Sequence, residues 1–140
     1  MEYNIAQILY DEINRIREKF NQEIKSYRQL TSYFGIKLYH SDLDNNVLAF
    51  YTKKDDDYTI VVNNNINKYY ELVSVYTLVS AIILYKKLND EELLNLKIYK
   101  KGNKFKYSKI IKLFVIDIVF DQNNIEQFLK ESREVNVQKK

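Results

Sequence analysis

The sequence predicts an α+β fold: a single, mostly helical domain in which a small three-stranded antiparallel sheet packs on a buried central helix. Three observations carry that expectation. The chain has 140 residues, enough for one hydrophobic core and not for two. Apolar residues from Leu9 to Phe34 recur every three or four positions, the period of a helix with one buried face. Lys68 to Leu88 is apolar on nearly every face, which belongs to a helix in the middle of its protein. Between those segments lie short runs bounded by turn residues, the signature of strands.

Residues 1–34 read as the N-terminal helices. Leu9, Ile13, Ile16, Phe20, Ile24, Tyr27, Leu30 and Phe34 make the apolar stripe, with Glu12, Arg15, Glu18 and Lys25 among the residues on the wet side. Two helices are favoured over one unbroken helix, which would be unusually long for a small domain. Gly35 then stops the second with a left-handed C-cap. Residues 35–63 form a β-meander with strands at 36–39, 47–52 and 58–62, the last two joined as a hairpin by an Asp-rich turn. Asn65 or Asn67 caps the central helix at 67–88, and Asn89-Asp90 closes it. A short turn or helix begins at Asp90-Glu91-Glu92. Residues 97–107 read as a basic hairpin around Gly102-Asn103. Residues 108–132 hold the C-terminal helices, the first capped by Ser108 and directing Ile110, Ile111, Phe114, Val115, Ile118 and Val119 inward. Residues 133–140 are a tail.

Composition removes most familiar catalysis. Cys is absent, so disulfides, thiolate metal sites and cysteine nucleophiles are excluded. One His rules out a two-histidine zinc site and weakens any Ser-His mechanism. Two Gly, Gly35 and Gly102, are too few for a P-loop or a dinucleotide fingerprint. No cofactor is expected, and the chain reads as a protein that is not an enzyme. Lys+Arg 22 against Asp+Glu 19 gives a mildly basic +3. The first ten residues show no apolar leader pattern, and the longest apolar stretch, 73–85, is interrupted by Ser74, Thr77 and Ser80. The expectation is a cytoplasmic protein of a bacterial host with no membrane partner. A bias to Lys, Asn, Ile and Tyr follows A/T-rich codons and points to an A/T-rich genome or mobile element.

Several local sequences carry a resemblance. Leu30-Thr31-Ser32-Tyr33-Phe34-Gly35-Ile36 looks like a helix end followed by a Gly-Ile pair opening a strand. Ala49-Phe50-Tyr51, Tyr58-Thr59-Ile60-Val61-Val62-Asn63 and Val75-Tyr76-Thr77-Leu78-Val79 follow in matching order. Over residues 30–87 the chain resembles the ImmA/IrrE family of metallopeptidases, found in phages and integrative elements, which typically cleave a repressor. The resemblance implies a zincin-like scaffold. Where that family has His-Glu-x-x-His, this chain has Ser80-Ala81-Ile82-Ile83-Leu84, which can neither bind Zn²⁺ nor activate water. Asp117 is the only acid in the helix resembling the segment that carries the third ligand, and it lies near the wrong end. The resemblance therefore implies a degenerate scaffold, a pseudoenzyme.

The most unusual feature lies between Leu93 and Ile116, which contains seven Lys and no acid. Lys97, Tyr99, Lys100, Lys101, Lys104, Lys106, Tyr107, Lys109 and Lys112 are the candidate partner-binding residues, with Phe105 also in the run. On a hairpin they would share one surface suited to phosphate contact and base stacking, or to an acidic protein, or simply to solvent. The absence of Arg argues against sequence-specific base reading. Asp55-Asp56-Asp57 lacks the spacing of a calcium loop and fits a solvated turn. His40 with Asp42 and Asp44 is a weak hint of a metal or pH-sensitive site beside the simpler reading of polar surface. Ser80 fits small-residue packing better than nucleophilic chemistry.

The expected function is a non-catalytic phage or mobile-element regulator or inhibitor that binds a host or phage protein. The target would be a repressor, in the manner of an anti-repressor, or a host defence protein, in the manner of an anti-CRISPR. The alternative is nucleic-acid binding through the Lys/aromatic hairpin. The N-terminal stripe is either packed internally or shared with a second copy as a homo-oligomer.

Overall fold

Residues 2–20 and 26–119 are described by the computed structural model of the chain. The N-terminal stripe divides into two helices, α1 (Glu2–Lys19) and α2 (Tyr27–Tyr33). Ile5, Leu9, Ile13 and Ile16 of α1 and Leu30 of α2 are buried within the chain, and Phe20, Tyr27 and Phe34 pack partly buried against the same core. α2 starts at Ser26, whose N–H donates to Gln29 Oε1 at 3.3 Å. It ends as a Schellman motif: Ile36 N–H donates to the Thr31 carbonyl at 2.9 Å and Gly35 N–H to that of Ser32 at 3.1 Å. Gly35 adopts φ +67°, which glycine reaches without a Cβ penalty.

The sheet differs from the expected three-stranded antiparallel meander. It has four strands, β1 (Lys37–Ser41), β2 (Val47–Lys54), β3 (Asp57–Asn63) and β4 (Lys97–Tyr99), in the spatial order β1-β3-β2-β4. β2 and β3 form the expected hairpin, with Lys54 opposite Asp57 and a left-handed Asp55 in the turn. β1, however, pairs parallel to β3. The reason is the segment between β1 and β2, which does not fold back on β1 but crosses the end of β3. Asn63, the last residue of β3, is buried beneath it. Its Nδ2 is 3.3, 3.2 and 2.9 Å from the carbonyls of Leu43, Asp44 and Val47, and its Oδ1 accepts from Leu43 N–H at 3.4 Å and Asn65 N–H at 3.0 Å. One side-chain amide thus satisfies backbone groups that no strand could reach.

Residues 97–107 do not make a hairpin. Lys97–Tyr99 instead pairs antiparallel with β2, bracketed by Tyr51 N–H to the Leu96 carbonyl (3.0 Å) and Lys100 N–H to that of Asn46 (2.8 Å). The side chain of Asn103 occupies the opposite edge of Tyr99, where a returning strand would have paired. The chain then turns through Gly102 (φ +125°) and Tyr107 (φ 65°) into the next helix.

The central helix matches its expectation. α3 (Lys68–Leu88) is capped by Asn67, whose Oδ1 accepts from Tyr70 N–H at 2.9 Å, and closed by a left-handed Asn89. It packs against the three other helices, β2 and β3, and every residue from Ser74 to Leu84 except Thr77 is buried. A 3-10 turn (Glu91–Leu93) follows. α4 (Ser108–Val119) begins with Ser108 as its first residue and buries Ile111, Phe114, Val115, Ile118 and Val119. The second C-terminal helix and the tail expected after it lie outside the described residues. No helix among the described residues is long and apolar enough to cross a membrane.

Candidate functional site

The register of the sheet sorts its side chains onto two faces. Leu38 and His40 of β1 stand opposite Ile60 and Val62 of β3, which stand opposite Tyr51 and Ala49 of β2, and Ala49 stands opposite Ile98 of β4. This face meets α3: Tyr58 stacks edge-on to Tyr85, with ring centroids 6.5 Å apart. Tyr51 donates its hydroxyl to the Leu93 carbonyl.

The intervening residues form the other face. Tyr39, Val61, Phe50 and Lys97 make one continuous row across all four strands, and Tyr99 stands opposite Val47 beside it. Tyr39 is 55% exposed and Tyr99 38%. Phe50, Val61 and Val47 are half-buried, and none of them packs against the core cluster that the inner face joins. The charged residues at outward register positions are Lys37, Lys54, Asp57 and Lys97, and the single acid sits opposite Lys54 at the hairpin end. Among the described residues, then, this face of the sheet stands apart from the core cluster, open at Tyr39 and Tyr99, and carries aromatic rings and a net positive charge.

The lysine run is split by the fold. Lys97 and Tyr99 stand on this open face at the β4 margin, and Lys101 and Lys104 are exposed in the turn after it. Lys100 lies over the Tyr70 ring of α3 at 5.7 Å, a cation–π contact on the helical side. Lys106 is engaged internally: its Nζ is 2.7 Å from Asp90 Oδ2 and 3.2 Å from Glu92 Oε2, and it lies over the Tyr107 ring. Hydrogen bonding to those carboxylates holds its ammonium above the ordinary lysine range, and the Asp90 carboxyl correspondingly low. Phe105 and Tyr107 are partly buried against the core, and Lys109 and Lys112 are exposed on α4. Among the described residues, Lys37, Lys97, Lys101 and Lys104 make no ion pair.

Residues with apparent chemistry elsewhere are committed to the scaffold. His40 does not meet Asp42; its Nε2 lies 2.6 Å from Glu71 Oε1 on α3, and Tyr27 of α2 donates its hydroxyl to the same oxygen. Burial, the hydrogen bond and the charge of Glu71 push the Tyr27 phenol up. Three residues distant in sequence therefore tie α2, β1 and α3 together, a cluster that sequence reading missed because nothing local links them. Asp42 instead accepts from Asn64 and Asn65 side chains at 3.3 and 3.5 Å. Ser80, in the stretch that resembles the zinc motif, is buried and donates back to the Tyr76 carbonyl at 2.7 Å. Asp117 accepts from the Tyr10 hydroxyl at 2.6 Å. No group of three or more His, Asp or Glu able to hold a metal occurs among the described residues.

No protein-family model matches the chain, and no curated protein or solved structure matches it.

Proposed function

We propose that this chain is a non-catalytic binding protein that engages an anionic partner through the open sheet face and its lysine-bearing β4 margin. The observation that carries this reading is the juxtaposition of exposed Tyr39 and Tyr99 with Lys37, Lys97, Lys101 and Lys104, which have no described counter-charge. The non-catalytic part is supported by the use of Ser80, Asp117 and His40 in internal hydrogen bonds. A degenerate metallopeptidase-like scaffold is compatible with it, since α3 carries Ser80 to Leu84 as buried packing residues.

The test compares two charge-matched double variants on a polyanion column. Lys97→Glu with Lys101→Glu elutes at lower salt than the control, Lys19→Glu with Lys68→Glu. Equal elution would remove the β4 margin as the working surface.

A second reading, a regulator or inhibitor that binds a protein, is favoured by a different observation. Leu113 and Ile116, one turn apart on α4, are 69% and 43% exposed, an apolar pair that an anionic ligand would not require.

A further inference from the structure

The open face specifies its anionic partner more narrowly. Three aromatic side chains stand on it: Tyr39 on the outer strand β1, Phe50 on β2 and Tyr99 on β4. Tyr39 and Phe50 are separated by one strand, roughly 10 Å at ordinary strand spacing, and Phe50 and Tyr99 lie on neighbouring strands. A ring whose flat side is presented on a sheet surface can stack an unpaired base, and four-stranded sheets bearing such rings are suited to that use. A base inside a duplex offers no free flat side, so the platform selects single strands.

The charges around the rings fit phosphate. Lys97 stands in the aromatic row itself, Lys37 stands in the next row of β1, and Lys101 and Lys104 extend the positive margin beyond Tyr99. Lysine acts on phosphate as a compact point charge. It is also the residue that protein–protein interfaces deplete, while Arg is the one they enrich, and the run from Leu93 to Ile116 has seven Lys and no Arg. The missing Arg also removes the usual means of reading base edges, so binding is expected to tolerate any sequence.

From this we infer that the sheet face binds single-stranded nucleic acid, with Tyr39, Phe50 and Tyr99 stacking bases and Lys37, Lys97, Lys101 and Lys104 contacting phosphates. The inference rests on the anionic-partner reading above and names the class of that partner.

Fluorescence anisotropy of the full chain tests it with labelled oligothymidylate and oligouridylate of about 16 nucleotides, near the upper site size of one single-strand-binding fold. A duplex of the same length is the competitor. The expected result is binding of one or both single strands, the sugar preference naming DNA or RNA, with the duplex at least about tenfold weaker. With four phosphates contacted, log K falls against log salt with a slope of about −3. Tyr39→Leu and Tyr99→Leu each weaken binding roughly five- to a hundredfold. Both side chains are exposed and leucine remains compatible with a strand, so the variants keep the wild-type melting transition. Lys97→Gln is a second route that alters no ring and lowers the salt slope by about 0.7.

Binding that is lost in the lysine variant but indifferent to both tyrosine changes overturns base stacking and leaves the anionic-partner reading standing. Equal affinity for the duplex overturns the inference, as does no binding to either single strand at low salt. Nuclease-resistant retention of an acidic protein on this same face also overturns it. Only the column comparison above, with both double variants eluting alike, would overturn the parent reading.

Discussion

The side-chain amide of Asn103 takes both outward backbone groups of Tyr99, accepting from its N–H at 2.8 Å and donating to its carbonyl at 3.4 Å. It imitates one rung of a neighbouring strand and so closes the exposed edge of β4. Open edges template association with other chains, and this one is protected by its shortness and by a single amide. Asn103→Ala is expected to cost about 1 kcal/mol and to raise concentration-dependent self-association. Sedimentation velocity over a dilution series checks it, and an unchanged monomer at every concentration would refute the protective role.

Asn63 has a heavier duty, since it serves the whole crossing between β1 and β2. Asn63→Ala strands several backbone groups beneath that crossing and is expected to cost about 3 kcal/mol in chemical denaturation. Asn63→Asp is nearly isosteric but removes the donor and sets a carboxylate against the carbonyls of Leu43, Asp44 and Val47, so it should be no milder. A loss below about 1 kcal/mol in both would show that water replaces the amide.

The alkaline limb of stability should depend on Tyr10. Burial, and then the hydrogen bond and charge of Asp117, push its phenol from 10.0 up to about 12. The folded chain therefore keeps a proton that the unfolded chain releases. Its contribution is complete below pH 10 and is lost as pH rises through about 12. Tyr27 and Tyr51 are shifted in the same direction, chiefly by burial, and steepen the loss. Tyr10→Phe should flatten the fall of melting temperature between pH 10 and 12 relative to its own value at pH 8. An identical slope would count against the Asp117 contact.

Ser74 offers a stabilising substitution. Its hydroxyl is buried in α3 with no partner among the described residues, unlike Ser80 and Thr77, which bond back to the helix. Ser74→Ala removes an unsatisfied group and adds helix propensity, for an expected gain of about 1 kcal/mol. A loss instead, seen in thermal unfolding, would reveal an ordered water at that hydroxyl.

Glu71 links His40 and Tyr27 through one carboxylate oxygen. Glu71→Ala frees both and should cost about 2 kcal/mol, whereas Glu71→Gln retains an acceptor for Tyr27 and should cost less. In a double-mutant cycle with Tyr27→Phe, the coupling should survive in the Gln background and vanish in the Ala background.

The helices were legible because their signals are local. Asn67 and Gly35 cap in sequence, and the period of Leu9, Ile13 and Ile16 is visible in one window. The parallel pairing of β1 was not legible, because alternation reports which face a residue takes and says nothing of which strand lies alongside. Asn63 opens a run of three asparagines in the sequence, and only the crossing above it distinguishes it from Asn64 and Asn65. The lysine run was visible, but its division was not: Lys106 turns to Asp90 and Glu92 while Lys97 joins Tyr39, Val61 and Phe50, residues up to 58 positions away in the chain. The His40–Glu71–Tyr27 cluster had no signal at all, since its members reach one another only through tertiary packing.

The parallel pairing of β1 with β3 also bears on how the chain is made. Synthesis delivers α1, α2 and β1 first, yet β1 pairs with β3 and α1 packs on α3, both of which leave the ribosome later. The β2–β3 hairpin, closed locally between Lys54 and Asp57, can form as soon as it emerges. The apolar stripe of α1 therefore meets its main helical partner only after Lys68–Leu88 has emerged, so the fold closes from its middle back onto its beginning.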